Sequence, residues 1–353
     1  MDRAPARRNE TIEDGEIVTD PVLVEVLRCG HVESAHRGAV AVVDADGRTV
    51  LEIGDVGQPV FPRSAVKAIQ ALPLVESGAA DACGFGDREL ALACASHGGE
   101  PAHVELAAAM LASAGLDEAD LECGVHWPSH FESSLALARS RGEPGGLHNN
   151  CSGKHAGFLC TCRHLGVDHR GYVAADHRSQ QLVREAMQAV TGAGHGEENG
   201  ATDGCSIPTY AVPLKSLALG FARMATGQGL APARARAAKR LLAACMAEPF
   251  FVAGTGRADT RLMQAAPGKI FVKVGAEGVF CAALPELGCG IALKCLDGGE
   301  RGAAAMVAAV LARLLGGHDA DLAGRLMAMA HPPVLSRKGA TVGLVRPAAA
   351  LTG

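Results

Sequence analysis

The sequence predicts an α/β (α+β) fold in which N- and C-terminal strands build one antiparallel sheet and a helical lobe is inserted between them. Three observations predict it: strand patterns fill residues 22–53, strand patterns return over 269–295, and the chain between carries mainly helical periodicity broken by Gly- and Pro-rich links. The expected division is a disordered tail over 1–20 and a single domain over 21–353. Its sheet lobe takes about 21–62 and 250–353, and its helical lobe about 63–249.

The elements follow in order. The opening MDRAPARRNE is polar and has no apolar core, so it reads as a loose tail and not as a signal peptide. Residues 22–28, VLVEVLR, alternate as a strand does, and residues 38–44 and 48–53 flank Ala45-Asp46-Gly47 as a hairpin with an Asp-Gly turn. Pro62 suits the entry turn of a helix and not its interior, and the helix it opens runs to about Gly78. Helices over 87–94 and 101–114 are separated by Ala95-Ser96-His97-Gly98-Gly99-Glu100, which is either an ordinary helix–helix turn or a place where backbone approaches a ligand. Residues 122–147 read as irregular chain around a short helix. Helices then occupy the stretch after Cys151 to Leu165, 174–190, 214–224 and 232–247, with a short one after Thr260. Strands at 269–273, 278–283 and 290–295 precede an Ala- and Leu-rich helix that ends at Leu315.

Composition excludes several classes of function. A hydrophobic fraction of 48% with 20% charge over 353 residues is that of a folded chain with a large core. Aromatics make up 3%, with one Trp, and the net charge is −5, so neither base-stacking platforms nor a polyanion-binding field is available for nucleic acid. The apolar run over 303–315 is interrupted by Arg313 and is too short to span a bilayer. A cytoplasmic protein is expected, with its twelve cysteines reduced and either buried or ligating metal.

Chemistry concentrates in Pro62-Arg63-Ser64-Ala65-Val66-Lys67. Ser64 and Lys67 are three apart at a helix start, a spacing that puts both on one face. Only eight of the 33 basic residues are Lys, and Lys, unlike Arg, can lose its proton when buried and act as a base. The same spacing is also a common coincidence. Three further polar clusters stand out: Ser96-His97-Gly98-Gly99, Cys151-Ser152-Gly153-Lys154-His155 with Asp203-Gly204-Cys205, and Lys273-Val274-Gly275. Lys269 competes with Lys273 as the functional strand lysine. Lys273 is preferred because Val274-Gly275 leaves the strand edge open and alternation puts Phe271 and Lys273 on one face. Gly254-Thr255-Gly256-Arg257 is glycine-rich but lacks the companions of a phosphate loop.

The layout of a first-turn Ser-x-x-Lys and a late Lys-x-Gly strand is similar to that of penicillin-recognising serine hydrolases (serine β-lactamase-like) and serine glutaminases. With Asn149-Asn150-Cys151-Ser152-Gly153-Lys154-His155 and Ala95-Ser96-His97-Gly98-Gly99-Glu100, the chain more closely resembles the rhizobial-type (class 3, asparaginase II family) L-asparaginases from about Pro21 onward. The resemblance implies hydrolysis of L-asparagine to L-aspartate and ammonia by two Ser-Lys pairs, here Ser64 with Lys67 and Ser96 with Lys273. Ser64 is assigned as nucleophile and Lys67 as its base, with Ser96 and Lys273 relaying protons; the reverse order, Ser96 first, stays open. Family likeness also implies zinc on Cys151, Lys154 and Cys205, supporting the pocket and not generating hydroxide, and a homodimer. Two thiolates suit zinc, whereas the plain alternative is a pair of buried thiols. A zwitterionic substrate needs one partner of each charge, and Arg63 and Asp203 are candidates; for Asp203 an Asp-Gly turn is the rival role. His97 is a candidate at the substrate, or a hydrogen-bonding support behind it, as His155 would be. Rival functions are a glutaminase, a penicillin-recognising-type hydrolase and a non-catalytic zinc- or amino-acid-binding protein.

Overall fold

The computed structural model of the chain describes residues 20–352. The tail reading therefore lies outside the described residues except at Asp20, which is buried and accepts the Asp55 N–H at 2.6 Å. Twelve strands are present among the described residues: β1 Val22–Arg28, β2 His31–Asp44, β3 Thr49–Ile53, β4 Pro59–Val60, β5 Gly200–Thr202, β6 Pro208–Tyr210, β7 Val212–Pro213, β8 Phe271–Gly275, β9 Val279–Leu284, β10 Cys289–Cys295, β11 Pro333–Leu335 and β12 Thr341–Pro347. Eight of them form one antiparallel sheet in the order β11-β12-β1-β2-β10-β9-β8, with β3 also on β2. Both ends of the chain thus contribute to one mixed α/β architecture, as expected.

β2 is the spine, and its sequence explains why. Its first half, HVESAHR, is mostly exposed and pairs with β1; its second half, GAVAVVD, is an apolar run, buried up to Val43, that pairs with β10 and β3. β8 and β9 are buried throughout, and β10 nearly so. The helices Leu214–Thr226 and Glu300–Leu315 pack on the sheet through apolar residues such as Leu217, Phe221, Met306 and Val310. Between β3 and β8 the helices Asp87–Ala93, Pro101–Ser113, Ser152–Leu165, Arg178–Thr191 and Pro232–Ala247 build the helical lobe. No helix of the described residues is long and apolar enough to cross a membrane.

Three differences from the sequence reading have physical causes. The single helix expected from Pro62 to Gly78 is a 3-10 turn, Arg63–Val66, followed by the short helices Lys67–Gln70 and Leu72–Glu76. Pro73 interrupts it, having no N–H to give and a ring that crowds the preceding turn. Small strand pairs, β4 with β7 and β5 with β6, lie within what was read as connecting chain. The chain after Leu315 carries the helix Ala320–Ala330 and the strands β11 and β12, which the sequence reading omitted; Thr-Val-Gly-Leu-Val-Arg is a weak alternation because Gly343 interrupts it.

Candidate active site

The sheet edge meets the helical lobe at β8. Gly275 ends that strand, and a Cβ there would stand 2.5 Å from the Pro62 carbonyl oxygen, so only glycine lets the Arg63–Val66 turn lie directly on the strand. The residue entering that turn, Arg63, has φ +51°, a left-handed conformation that non-glycine residues adopt at a cost of about 1–2 kcal/mol. Its guanidinium is held by Asp203, Nε to Oδ1 2.5 Å.

Lys67 begins the helix after the turn and is fully buried. Its Nζ is not engaged with Ser64, as the three-residue spacing led us to expect. It donates to the Ala95 carbonyl, to Ser96 Oγ at 3.0 Å and to Cys151 Sγ at 3.1 Å. Three acceptors use all three N–H bonds of an ammonium. A 3-10 turn keeps residues three apart on one face, so it is the three acceptors from the Ser96 loop and Cys151, and not the turn, that hold the amine away from Ser64. Among the described residues Ser64 makes no side-chain hydrogen bond.

Ser96 follows the helix Asp87–Ala93, is 8% exposed, and is fixed by its N–H to the Val252 carbonyl at 2.9 Å. A second amine also reaches it: Lys273 Nζ lies 3.0 Å from Ser96 Oγ, 2.8 Å from the Val274 carbonyl and 3.7 Å from Asp259 Oδ1. Burial lowers the Lys273 pKa, the Asp259 carboxylate opposes the fall, and the Lys67 charge adds to it, leaving Lys273 at about 8. Lys269 is elsewhere, half-exposed and 3.2 Å from Asp319, so Lys273 is the strand lysine that meets a serine.

A cavity of about 220 Å³ opens over these groups, with Ser64, Ser96, Asn150, Arg257, Glu277 and Glu300 in its wall. His97 is not in this wall. Its Nδ1 accepts the Gly99 N–H at 3.1 Å, so the ring proton is on Nε2, which donates to Ser152 Oγ at 2.9 Å. Burial, with smaller contributions from His103 and Lys67, holds this imidazole neutral, well below its usual pKa. Through these two bonds the side chain ties the Ser96 loop to the start of the helix Ser152–Leu165. His155 is likewise buried, with Nδ1 2.7 Å from the Tyr172 hydroxyl. Glu100 ties the same loop to the next, accepting the Thr255 N–H at 2.8 Å and its hydroxyl at 2.7 Å.

Cys151, Lys154 and Cys205 do come together. Gly153, between the first two, would place a Cβ 2.4 Å from the Leu92 carbonyl oxygen, and its absence lets the helix Ser152–Leu165 press against the helix that ends at Ser96's loop. Lys154 Nζ is 3.0 Å from Cys205 Sγ, and the Cys151 thiol lies 3.0 Å from Asn150 Oδ1. The neighbouring Cys205 thiol, against burial and with help from Lys67 and Lys154, holds the Cys151 thiol well below its ordinary pKa. Cys151 and burial push Cys205 up. Burial disfavours the Lys154 ammonium, but Cys205 and Cys151 more than offset it and its pKa is raised. Asp203 is pushed up by burial, yet Lys154 and Arg63 hold it below the usual carboxylate range. A second group with converging donors, His36, Cys295 and Asp297, lies within 4.8 Å. There both His36 Nδ1, at 2.6 Å, and Cys295 Sγ, at 3.0 Å, are engaged with Asp297.

One buried serine thus lies within hydrogen-bonding reach of two lysine amines, where the motifs lead one to expect two separate Ser-Lys pairs, Ser64 with Lys67 and Ser96 with Lys273. A family model for L-asparaginase II matches residues 24–347. The chain belongs to the L-asparaginase II family. It is therefore an amidohydrolase. No curated protein sequence matches this L-asparaginase II family member. Among solved structures it is similar to Mglu, at 19% identity and TM-score 0.35 over 81% of this chain and 67% of Mglu, and to Mglu in its Tris and glutamate form, at 17% and 0.36 over 86% and 63%. It spans about two thirds of Mglu's length. A β-lactamase from Mycobacterium bovis is similar at 13% identity and TM-score 0.38, over 83% of this chain and 94% of that one.

Sequence reasoning missed Asp259, Arg257, Glu277 and Glu300. Arg257 and Asp259 stood in a stretch noted only for its glycines; the two glutamates carry no local signal, because Glu277 reaches the cavity from the turn between β8 and β9 and Glu300 from the first residue of the helix Glu300–Leu315.

Proposed function

We propose that this cavity hydrolyses the side-chain amide of L-asparagine to L-aspartate and ammonia, with Ser96 as nucleophile. The observation that carries the reading is Ser96 Oγ at 3.0 Å from both Lys67 Nζ and Lys273 Nζ. Proton counting assigns the roles. Lys67, with three acceptors, is a donor to the oxygen; Lys273, with its proton affinity reduced to about 8, has a lone pair available to the Ser96 hydroxyl. The hydroxyl proton passes to Lys273 as Oγ bonds to the amide carbon, and the Lys67 ammonium stabilises the charge gathering there. Lys273 then protonates the leaving nitrogen, ammonia departs, and water deprotonated by Lys273 cleaves the resulting ester to release aspartate. Ser64, facing the same cavity with a free hydroxyl, donates to the carbonyl oxygen as it becomes anionic.

The sign of the pH dependence follows. Lys273 works as a base only when neutral, so activity rises with pH through a limb centred near 8. Asp259 raises the lysine's proton affinity, and Asp259→Asn, which keeps an acceptor for the Val274 N–H, is expected to move that limb to lower pH. A limb that stays in place in a pH–rate profile would remove Lys273 as the base.

Cys151, Lys154 and Cys205 would hold zinc: the Lys154 amine and the Cys205 thiol already meet at 3.0 Å with Cys151 beside them, and two sulfurs with one nitrogen are a donor set that suits the metal. Bound there, the ion would supply positive charge behind Lys67 and join the helix Ser152–Leu165 to the turn carrying Asp203. Protein purified without chelator is expected to contain one zinc per chain by elemental analysis, and Cys151→Ser to lose it; a metal-free wild type overturns the assignment. All twelve cysteines are unpaired, which supports the cytoplasmic reading. Ammonia release from L-asparagine and L-glutamine tests the activity itself, and release from neither, with zinc present, rejects it.

A further inference from the structure

The sequence nominates Arg63 and Asp203 to bind the charged ends of the substrate, but these two hold each other at 2.5 Å, and Arg63 faces an adjoining cavity of about 480 Å³, bordered by Phe61 and Lys294 and sharing Glu277 with the cavity over Ser96. The cavity over Ser96 has a different set of charges. Arg257 is the one cation in its wall among the described residues, and Glu277 and Glu300 are the anions. Lys67 and Lys273 lie behind Ser96, fully buried and engaged.

Arg257 is built unlike a surface arginine. It caps the helix Ala258–Ala265, on a loop fixed by the two bonds from Thr255 to Glu100, and so is anchored to the loop that carries Ser96. Its Nε is buried with no partner, an N–H left without the acceptor that buried donors nearly always have. Its recorded ion pair is a single Nη2–Oε1 contact of 3.3 Å to Glu300, whose side chain is 60% exposed. A one-point pair with an exposed carboxylate exchanges readily for a two-point pair with a carboxylate in the cavity.

We infer that Arg257 is the anchor for the α-carboxylate of an α-amino acid bound over Ser96, with the α-ammonium facing Glu277 and Glu300. On entry the ligand carboxylate takes Nε and one terminal nitrogen of the guanidinium, satisfies the orphaned donor, and releases Glu300. The inference specifies how the amidohydrolase reading selects an amino acid amide over a simple amide, and it rests on that reading for the choice of ligand.

The test separates the two. Calorimetry with L-aspartate and with β-alanine, which is aspartate without its α-carboxylate, measures the anchor without any turnover. Wild type is expected to bind L-aspartate more tightly than β-alanine. In Arg257→Ala the aspartate affinity falls by about 10- to 100-fold while that for β-alanine is unchanged. Arg257→Lys, which keeps the charge but loses the fork, falls in between. Arg63→Ala leaves the aspartate to β-alanine ratio as in wild type. Equal affinity of wild type for the two ligands, no aspartate binding at all, aspartate affinity in Arg257→Ala within twofold of wild type, or equal losses for both ligands each overturn the inference. Absence of ammonia release from L-asparagine, with the ligand difference intact, would instead fell the hydrolytic reading and leave the anchor standing.

Discussion

Alanine at position 96 is expected to reduce ammonia release from L-asparagine by about 10⁴-fold or more, the scale on which loss of a catalytic nucleophile acts. The expectation comes from geometry and not from motif order. Ser96 is the hydroxyl that both buried amines reach, whereas Ser64 lies one turn away from the lysine assigned to it by spacing. Ser64→Ala is expected to cost about 10²-fold, as removal of one donor to an oxyanion does. Single-turnover rates for the two variants decide the order, and the mass of the acylated peptide trapped from wild type identifies the serine. A larger loss at Ser64, with the adduct on its peptide, would return the attacking role to that residue.

Replacement of Lys273 by Met is expected to lower activity by about 10³-fold and to abolish the ascending limb near pH 8. The same change is expected to stabilise the fold at neutral pH. A buried lysine whose folded pKa lies below its unfolded value penalises the folded state fully below about 8, and the penalty disappears as pH rises toward the unfolded pKa. Methionine is of similar length, carries no charge to bury and relieves that penalty. Thermal unfolding at pH 7 should therefore show a higher midpoint for Lys273→Met than for wild type, with the gap closing toward pH 10. A lower midpoint at pH 7 would mean that the amine's bonds to Ser96 and the Val274 carbonyl outweigh the cost of its charge.

The sheet was legible because β1, the inner half of β2, and β8 to β10 are apolar runs of strand length, and the Asp-Gly turn marked the first hairpin. The four site clusters were legible because Ser, Lys and Cys stand beside glycines whose missing Cβ has a steric reason, as at Gly153 and Gly275. What sequence spacing could not give was the aim of side chains. Lys67 is three residues from Ser64 yet bonds Ser96, because its acceptors come from the Ala95-Ser96 loop and from Cys151, segments whose approach no local periodicity reports. Asp259 and Arg257 required the loop between Phe250 and β8 to be folded against Glu100 before either had a role. Charge pairing, too, is a property of three dimensions: Arg63 and Asp203 are of opposite sign and 140 positions apart, and they meet each other.

β8, which supplies Lys273, is an outer strand that reaches the rest of the sheet only through β9 and β10, and these in turn through β2. On a ribosome, both serines and Lys67 emerge well before any of those three strands. On the roles proposed above, the nascent chain holds its nucleophile without its base until β10 has found β2. Reactivity would thus arrive late and all at once, with closure of the contact between Gly38 and Cys295 that joins the first part of the chain to the last.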